Sequence, residues 1–374
     1  MAYLLTLNTG SSSVKFRLFD WAQDMPLVAG GKVSNIGQNA TFSVFKEDGI
    51  QDEPLLENGK LNHEQAIKFV FQWLSQNQYE FQDIRAVAHR IVHGGEKYSH
   101  PIILDAAAIS YLRSLEPLAP LHQPHNLAGI DILAAEYPDL IQYGCFDTAF
   151  HSGHSPIFHE FALPSSLRDK GIKRYGFHGL SYEWVMHEMR KTYPEVADGR
   201  IIAAHLGNGA SLCAIKAGES VDTTMGMTAL DGLPMGTRCG AIDAGALIYM
   251  LKDLGISLED VENALYHESG LKGLSGVTND VEELLVTNDD AARFALDFFV
   301  MKVAQYIAAM AVSIGGLDML VFTGGIGENA APIRKKILEH LSFLPDFQHV
   351  VVAANEERSM ALSIYASNQG GSKI

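Results

Sequence analysis

The sequence predicts an α/β fold made of two related domains. Apolar runs with strand-like alternation are followed by glycine loops and by segments with helical spacing, which is typical of this class. A similar hairpin pattern occurs near residue 10 and again near residue 208. The length of 374 residues suits about two domains.

Elements of the first half follow from local patterns. Residues 3–7 form an apolar run and residues 14–18 alternate apolar with charged side chains, so we predict two strands around a Gly/Ser turn. Apolar residues repeat with helical spacing at 67–74, and Asn62 with Gln65 forms a suitable cap before them.

Elements of the second half are predicted in the same way. The segment 291–312 is apolar on nearly all sides, which is typical of a buried helix. The other predicted elements are a strand at 201–206, a helix capped by Ser257 and Asp260 through Leu265, a strand at 319–322, a glycine loop, a helix from Pro332 to Leu341 and a strand at 350–353.

Two segments indicate an internal repeat. Two strands are joined through a small-residue loop in L-N-T-G-S-S-S-V-K-F-R-L and again in A-H-L-G-N-G-A-S-L-C-A-I. We infer two related halves that meet at a cleft, each with one phosphate-facing loop. Two unrelated hairpins are the alternative. No Pro/Ser-rich linker marks the boundary, which we place near residue 150.

Composition excludes several classes of partner. Lys and Arg number 28 and Asp and Glu 44, so the net charge is −16. Such a chain binds neither nucleic acid nor an anionic membrane through bulk charge. The stretch 307–322 is too short and too polar to span a bilayer, and no secretory signal opens the sequence. We expect a soluble, cytoplasmic protein.

The cysteine pattern agrees with that compartment. Cys145, Cys213 and Cys239 are widely spaced and form no C-x-x-C pair. We therefore predict buried thiols rather than a disulfide framework or a cysteine zinc site.

Three small-residue loops that follow apolar strands favour phosphate binding. They lie at 8–13, 205–211 and 323–329. Glycine lets the backbone approach a phosphate closely, and unpaired N–H groups donate to its oxygens. Lys15 adds a mobile positive charge after the first loop. No G-x-x-x-x-G-K-[ST] occurs, so this is not a P-loop protein.

Polar residues in apolar or glycine-rich contexts are further candidates. Arginine in such a context suits fork-like binding of carboxylate or phosphate, although a surface charge, a cap or a turn is the ordinary alternative for each residue. Zinc binding by His89 with His93, or by the histidines at 151, 154 and 159, is not favoured, since no H-E-x-x-H occurs. The candidates are Arg90, His122, Asp147, His178 and Arg238.

These segments together resemble the acetokinase family, within the acetate and sugar kinase, actin and chaperone superfamily. They run in order from residue 8 to residue 357 and so cover essentially the whole chain. The matching segments are N-T-G-S-S-S-V-K, H-R-I-V-H-G-G-E-K, H-Q-P-H-N-L-A-G-I, F-D-T-A-F-H, Y-G-F-H-G-L-S, H-L-G-N-G-A-S, S-V-D-T-T-M-G-M-T, G-T-R-C-G, T-G-G-I-G-E-N and N-E-E.

The resemblance implies a fold and an activity. The implied fold is two ribonuclease-H-like domains, 1–150 joined by about 355–374 and 151–354, flanking a nucleotide cleft in a homodimer. The implied activity is acetate kinase: Mg²⁺-dependent, reversible, direct in-line transfer of the γ-phosphoryl group of ATP to acetate, giving acetyl phosphate and ADP. Mn²⁺ is an implied substitute and propionate a second candidate acid.

The resemblance also implies residue roles, position by position. Catalysis falls to Asp147, His178 and Arg238, and the magnesium-linked positions are Asn8 and Glu356. The acid-binding positions are Arg90, Val92, Leu121, His122, Phe177 and Ala229. The nucleotide-binding positions are Lys15, His205, Leu206, Gly207, Asn208, Gly209, Asp280, Val281, Glu282, Gly325, Ile326, Gly327, Glu328 and Asn329.

The residue types suit this chemistry. Acetate is already an anion at neutral pH, so the difficulty is to bring two anions together. Arg90, Arg238 and Mg²⁺ would relieve their repulsion, and His178 would donate to the transferring group. For Asp147 we predict a role in orienting Arg238 or waters on Mg²⁺.

Some positions depart from the family pattern. Glu282 stands where arginine is usual, which leaves the nucleotide preference open. Ala229 replaces a proline, and the smaller wall would admit one more methylene, worth ~1 kcal/mol. Ala241 and Ala244 replace Asp and Pro after Arg238, and the chain is somewhat short for the family.

Two other functions remain open at this point. A nicotinamide dehydrogenase is suggested by G-I-G-E-N-A at 325–330, but no acidic residue stands at the end of a clear next strand about 20 residues on. A nucleotide-binding switch without an acyl substrate would not need Arg90, His178 and Arg238 together.

Overall fold

A computed structural model describes residues 1–46, 49–53, 60–120 and 122–369, so Leu121 lies outside the described residues. The chain divides into two compact units. The first comprises Met1–Ala149 and Asn355–Ile374, and the second comprises Phe150–Ala354.

The strands and helices follow in chain order. The strands are β1 (Tyr3–Thr9), β2 (Val14–Asp20), β3 (Leu27–Ser34), β4 (Thr41–Lys46), β5 (Gly49–Glu53), β6 (Ile84–Ile91), β7 (Ile102–Ile103), β8 (Ile141–Phe146), β9 (Arg200–Leu206), β10 (Ala210–Lys216), β11 (Glu219–Thr223), β12 (Met319–Thr323) and β13 (Gln348–Val351). The helices are α1 (His63–Gln76), α2 (Ala106–Ser114), α3 (Gln123–Glu136), α4 (Pro156–His159), α5 (Ser165–Arg168), α6 (Gly179–Thr192), α7 (Ala244–Lys252), α8 (Leu258–His267), α9 (Gly270–Ser275), α10 (Val281–Val286), α11 (Asp290–Ile314), α12 (Gly324–Asn329), α13 (Ala331–His340) and α14 (Glu356–Asn368).

The first unit is built on a mixed sheet. Its strand order in the described residues is β5-β4-β3-β2-β1-β6-β8-β7. The predicted hairpin at its start is confirmed, because β1 and β2 pair antiparallel from Tyr3–Asp20 to Thr9–Val14. Strand β1 pairs parallel with β6, and β6 pairs parallel with β8. The carboxyl ends of these three strands therefore lie at one edge of the sheet.

Helix α1 covers this sheet and begins at the predicted cap. The Asn62 side chain accepts from Gln65 N–H at 2.8 Å, and the Gln65 side chain accepts from Asn62 N–H at 2.9 Å. This capping box satisfies two donors that the first turn would otherwise leave unpaired. Aromatic rings fill the core below: Phe42 makes edge contacts with Phe69 and Trp73.

The second unit repeats the arrangement of strands. Its order is β11-β10-β9-β12-β13. Strand β9 pairs antiparallel with β10 and parallel with β12, as β1 does with β2 and β6. The two units therefore share five strands in the same order and the same directions, β3-β2-β1-β6-β8 and β11-β10-β9-β12-β13. This topology supports the inferred internal repeat.

Helix α11 is less buried than its composition predicts. By length and apolar content it could cross a membrane, and only half of its most apolar window is buried. Ala295, Phe299 and Val303 face the core, whereas Phe294 is 57% exposed and Val312 83% exposed. The prediction of a helix buried on nearly all sides is therefore wrong: an apolar stripe at helical spacing faces inward and apolar residues remain outside.

Two further sequence predictions need correction. The segment after β12 is the short helix α12, not a loop, and it begins directly at Gly324. Gly324 adopts φ +78°, and a Cβ there would lie 2.8 Å from Leu206 O, so glycine is required for the chain to turn into the helix. Among the cysteines, Cys145 and Cys213 are buried as predicted, but Cys239 is only partly buried.

Several histidines are buried in the two units. In the first, His89 Nε2 lies 2.7 Å from Gln142 Oε1. In the second, Ser220 Oγ lies 2.8 Å from His151 Nδ1 and 2.7 Å from His154 Nε2. Burial lowers the pKa of His89, His93 and His151 to about 4, and that of His154 to about 3.

These histidines should make stability fall with mild acid. Between pH 6.5 and about 4 the unfolded chain binds protons that the folded chain does not, so the free energy of unfolding decreases as pH falls. Each group contributes up to ~1.4 kcal/mol per pH unit. We expect the urea midpoint to drop steadily below pH 6.5, and His100→Gln, which removes an exposed histidine, to leave the profile unchanged. A midpoint that is flat from pH 7 to pH 5 would contradict this account.

Candidate active site

An arginine–aspartate pair stands at the carboxyl edge of the first sheet. Arg90 is the penultimate residue of β6, and Asp147 follows β8 directly. Arg90 Nε and Nη2 donate to the Asp147 carboxylate at 3.1 and 2.8 Å. Asp147 is 2% exposed, and its backbone N–H donates to Ile91 O at 3.0 Å. The pairing of β6 with β8 therefore sets the position of both side chains.

The Arg90 guanidinium stays positively charged beside the buried carboxylate of Asp147. Burial alone would lower the pKa of Arg90, but the carboxylates of Asp147 and Glu356 raise it above its ordinary value. Burial raises the pKa of Asp147, and Arg90 opposes that shift. Arg90 Nη1 makes no hydrogen bond within the described residues. One edge of the guanidinium is thus held by Asp147 and the other is available to an anion.

Helix α3 holds the chain that follows Arg90. Asn126 Oδ1 accepts from Val92 N–H at 3.1 Å, and its Nδ2 donates to Thr9 O at 2.8 Å. Gln123 bonds both the N–H and the C=O of His93, at 3.1 and 3.0 Å. These bonds join the ends of β1 and β6 to one helix.

A buried carboxylate from α14 pairs with the second strand. Glu357, 1% exposed, lies 2.7 Å from Lys15 Nζ through Oε1 and 3.7 Å from Arg17 Nε through Oε2. Arg17 Nη1 also donates to Asn355 Oδ1 at 2.9 Å. Lys15, predicted as a phosphate contact, is thus tied to the start of α14.

The other predicted residues of the first unit lie at the same sheet edge or beside it. Asn8 is near the end of β1, Val92 follows β6, and Glu356 is the buried first residue of α14, which packs against β1, β2 and β6. His122 immediately precedes α3. Leu121 is outside the described residues, so its predicted contact with the acid is not placed.

In the second unit, His178 is held in an uncommon conformation. It precedes α6 with φ 59°, a left-handed value that few non-glycine residues adopt. Its Nδ1 lies 2.8 Å from Ser211 Oγ, and its ring stacks on His205 with centroids 4.3 Å apart. Phe177 beside it is 1% exposed. The backbone before α6 therefore aims the imidazole at the end of β9.

The glycine turn between β9 and β10 adjoins the start of α12. Gly207 N–H donates to Gly209 O at 3.0 Å, and a Cβ on Gly207 would lie 3.9 Å from Gly325 N. Asn208 holds a third segment, because its backbone O accepts from Gly236 N–H at 3.0 Å. Two of the predicted phosphate loops therefore meet at one point.

Arg238 lies beside the same turn. Its Nη1 donates to Ala229 O at 3.0 Å, and no carboxylate pairs with it among the residues described. A Cβ on Gly209 would lie 3.3 Å from His178 Nε2 and 3.9 Å from Arg238 Nη1. Burial lowers the pKa of Arg238. A half-buried guanidinium without a counter-ion favours binding of an anionic ligand here.

The remaining predicted nucleotide residues line two short helices. Asp280 caps α10 by accepting from Glu282 N–H at 2.8 Å, and Glu282 is exposed. Asn279 Nδ2 donates to Asn208 Oδ1 at 2.9 Å, which links this segment to the glycine turn. In α12, Glu328 Oε1 accepts from Ala354 N–H at 2.9 Å. Ile326, Gly327 and Asn329 complete that helix.

Sequence reasoning missed three residues of these clusters. Glu357 stands next to the predicted Glu356, and Ser211 lies at the end of a predicted loop segment. Neither carries a pattern of its own that separates it from its neighbour. Tyr182 is one turn into α6, and its hydroxyl contacts Ser211 Oγ in the core. These contacts come from strand pairing and helix packing, which a local pattern does not contain.

Comparison with known proteins finds relatives over nearly the whole chain. The model of the acetokinase family matches residues 3–364. An acetate kinase of Rhodopseudomonas palustris (strain TIE-1) is 43% identical over 347 residues, 91% of this chain and 86% of the relative. An acetate kinase of Rhizobium meliloti is 39% identical over 370 residues, 98% and 93% of the two chains.

Solved structures show the same likeness. A propionate kinase from Francisella tularensis subsp. tularensis SCHU S4 has a TM-score of 0.89 and 35% identity, covering 97% of this chain and 99% of that chain. The Porphyromonas gingivalis acetate kinase has a TM-score of 0.85 and 32% identity, covering 98% and 99%.

Removing the charge of Glu357 should destabilise the protein. In Glu357→Gln, Lys15 and Arg17 lose their counter-ion. We expect the free energy of unfolding to fall by about 2 kcal/mol, less than for a fully buried pair, because both cations stay partly exposed. Asp297→Asn, which breaks the exposed Lys336–Asp297 pair, should change stability by less than ~0.5 kcal/mol. Urea unfolding of the two variants measures the difference. Equal effects would show that Glu357 does not stabilise the docking of α14.

Proposed function

The chain belongs to the acetokinase family, and on that premise we propose that it is an acetate kinase, which transfers the γ-phosphoryl group of ATP reversibly to acetate. The products are acetyl phosphate and ADP. One arrangement carries the proposal: His178 and the uncompensated guanidinium of Arg238 stand together beside the glycine turn at Gly209. Such a group of donors suits a phosphoryl group that accumulates charge during transfer.

The second unit is proposed to bind the nucleotide. Its glycine turn at 207–209 lies against the start of α12, and backbone of this kind can approach phosphate oxygens closely. Asn279, Asp280 and Glu282 follow in a segment bonded to Asn208. Glu282 adds no cation to this segment.

The first unit is proposed to bind the acid. Arg90 presents its Nη1 edge while Asp147 fixes the opposite edge, an arrangement that suits a carboxylate. Asp147 then acts as a positioning residue for Arg90, because a carboxylate already bonded to a guanidinium repels an anionic substrate less. That Asp147 orients Arg238 or waters on Mg²⁺ stays a prediction. The contacts of Val92, Phe177 and Ala229 with the acyl group also stay predictions.

The residues present in the first unit fit a magnesium ion that is bound in part by waters. Mg²⁺ usually binds through one or two carboxylates, several waters and substrate phosphates. No group of three or more His, Cys, Asp or Glu side chains that could hold a metal occurs in the described part of the chain. Glu356, a buried carboxylate, and Asn8 would hold the ion. It would neutralise phosphate charge, and Mn²⁺ accepts the same oxygen ligands.

A cytoplasmic location is part of the proposal. Cys145, Cys213 and Cys239 are all free thiols, as expected in a reducing compartment. ATP as phosphoryl donor agrees with that location.

A homodimer is also proposed, with α7 and α8 in the contact. Helix α7 has no buried residue although it is strongly apolar. Ile248 is 55% exposed, Tyr249 54%, Leu254 56% and Leu258 70%. These four side chains, the apolar cluster, lie on two neighbouring helices and the segment between them, and exposed apolar residues of this kind favour association with a second copy of the chain.

The acid specificity can be tested directly. With Mg-ATP, we expect ADP release to depend on acetate and to continue with propionate at a kcat/KM lower by about fivefold, with butyrate weaker still. Arg90→Ala should lower kcat/KM for acetate by about 100-fold or more. Arg85→Ala, an exposed arginine on the same strand, is the matched control and should behave as the unmodified protein.

Failure of this test has a defined meaning. If no acid stimulates ADP release, the assay is repeated with GTP and with pyrophosphate as donor. Absence of turnover with all donors would remove the kinase proposal and favour a nucleotide-binding switch.

The dimer can be tested by mass in solution. Ile248→Asp with Leu258→Asp places two charges in the apolar cluster and should convert a dimer to a monomer, measured by light scattering during gel filtration. Ile157→Asp changes another exposed apolar residue, 81% exposed on α4, and should remain dimeric. A monomeric unmodified protein at micromolar concentration would refute the proposal.

A further inference from the structure

A chain of buried hydroxyl groups leads to the ring of His178. His178 Nδ1 lies 2.8 Å from Ser211 Oγ, and Ser211 Oγ also contacts the hydroxyl of Tyr182. Ser211 and Tyr182 are both 0% exposed. Neither hydroxyl has another hydrogen-bond partner in the part of the chain that the structure describes. Water does not reach these two hydroxyl groups, so both hydroxyl protons must be paired within the set Tyr182, Ser211 and His178 Nδ1.

Only one arrangement pairs every proton. If the Tyr182 oxygen accepted a hydrogen bond from Ser211, the hydroxyl hydrogen of Tyr182 would be buried without an acceptor. Tyr182 therefore donates to Ser211, and Ser211 in turn must donate its hydrogen to His178. That leaves Nδ1 of His178 as an acceptor without a hydrogen, and the ring proton on Nε2.

We propose that Ser211, with its hydroxyl oriented by Tyr182, is a positioning residue that fixes His178 as the neutral tautomer protonated on Nε2. This inference rests on the proposed function, in which His178 donates to the transferring phosphoryl group. Nε2 is the ring atom that faces Gly209, beside Arg238. The bond made by one imidazole nitrogen determines which nitrogen carries the proton, so the relay supplies a hydrogen-bond donor where charge develops.

The neighbouring histidine shows the same arrangement. Ser181 Oγ, 0% exposed, lies 2.8 Å from His205 Nδ1 and contacts no other polar group within the described residues. Its hydroxyl proton is paired only if it is donated to Nδ1, which puts the His205 proton on Nε2. The rings of His178 and His205 stack at 4.3 Å, where two positive charges would repel each other strongly. In this arrangement each ring is neutral because its Nδ1 accepts a hydrogen bond from a serine hydroxyl.

The tautomer can be observed without substrate. Two-bond ¹H–¹⁵N correlation spectra of the full protein labelled with ¹⁵N-histidine distinguish protonated from unprotonated ring nitrogens, and His178→Gln assigns the His178 signals. We expect an unprotonated Nδ1 and a protonated Nε2 near neutral pH. A protonated Nδ1, or a doubly protonated ring, would overturn the proposal. This result is independent of whether the protein turns out to be an acetate kinase.

Variants then connect the tautomer with turnover. In Ser211→Ala, Nδ1 loses the hydroxyl donor, so we expect a mixture of tautomers. We expect kcat to fall by about two- to tenfold while KM for ATP and acetate changes less than twofold. In Tyr182→Phe, Nδ1 is still the acceptor that pairs the Ser211 hydrogen, so we expect the same tautomer and a smaller loss in kcat than in Ser211→Ala.

A matched control separates the relay from packing. Tyr193→Phe removes a hydroxyl from the residue that follows α6 and should leave the His178 spectrum and kcat unchanged. An unaltered His178 spectrum in Ser211→Ala would overturn the proposal. Should either variant fail to fold, the spectrum of the unmodified protein still decides the tautomer.

Discussion

Parallel pairing of a central strand is the constraint on which both units depend. In the first unit β1 pairs parallel with β6 and β6 with β8, so Asn8, Arg90 and Asp147 reach the same sheet edge. In the second unit β9 pairs parallel with β12 in a register that sets His205 opposite Thr323, and both glycine segments begin there. Polar groups at the carboxyl ends of parallel strands can converge without any contact in sequence, and these strand ends are where α/β proteins place their ligands.

Arg90 in the first unit and Arg238 in the second have opposite electrostatic surroundings. Arg90 is neutralised by Asp147 along one edge, which fixes its direction and reduces its net field. Arg238 has only uncharged partners in the described structure, the carbonyl of Ala229 and the sulfur of Met235, so no counter-ion compensates its charge. Arg90 can therefore orient an anion, whereas Arg238 can attract one strongly, and these two properties suit different anions. A carboxylate has a fixed charge and is bound well by a guanidinium held in one orientation. A phosphoryl group gains charge during transfer and is stabilised better by a cation without a counter-ion.

Local pattern predicted the parts of the fold that local interactions determine. The capping box at Asn62, the hairpins around Gly10 and Gly207, and the cap at Ser257 were all foreseen, because each depends on neighbours within a few residues. The helix at Gly324 was not, since repeated glycine lowers helix propensity and only the close approach of the Leu206 backbone explains the residue. Glu357, Ser211 and Tyr182 were missed for the same reason: their partners are distant in sequence. The family resemblance named most candidate residues, but it did not indicate which side chains hold them.

The return of the chain to the first unit has a consequence for biosynthesis. Arg17 and Asn355 are 338 positions apart, yet they bond in one unit. Strand β2 leaves the ribosome with Lys15 and Arg17 long before Glu357 is made, and the contiguous segment 150–354 is complete first. Domains of nascent chains fold as their sequence emerges. The second unit is therefore able to finish folding during translation, whereas the first has all the strands of its sheet early but lacks α14 until the second unit has been synthesised.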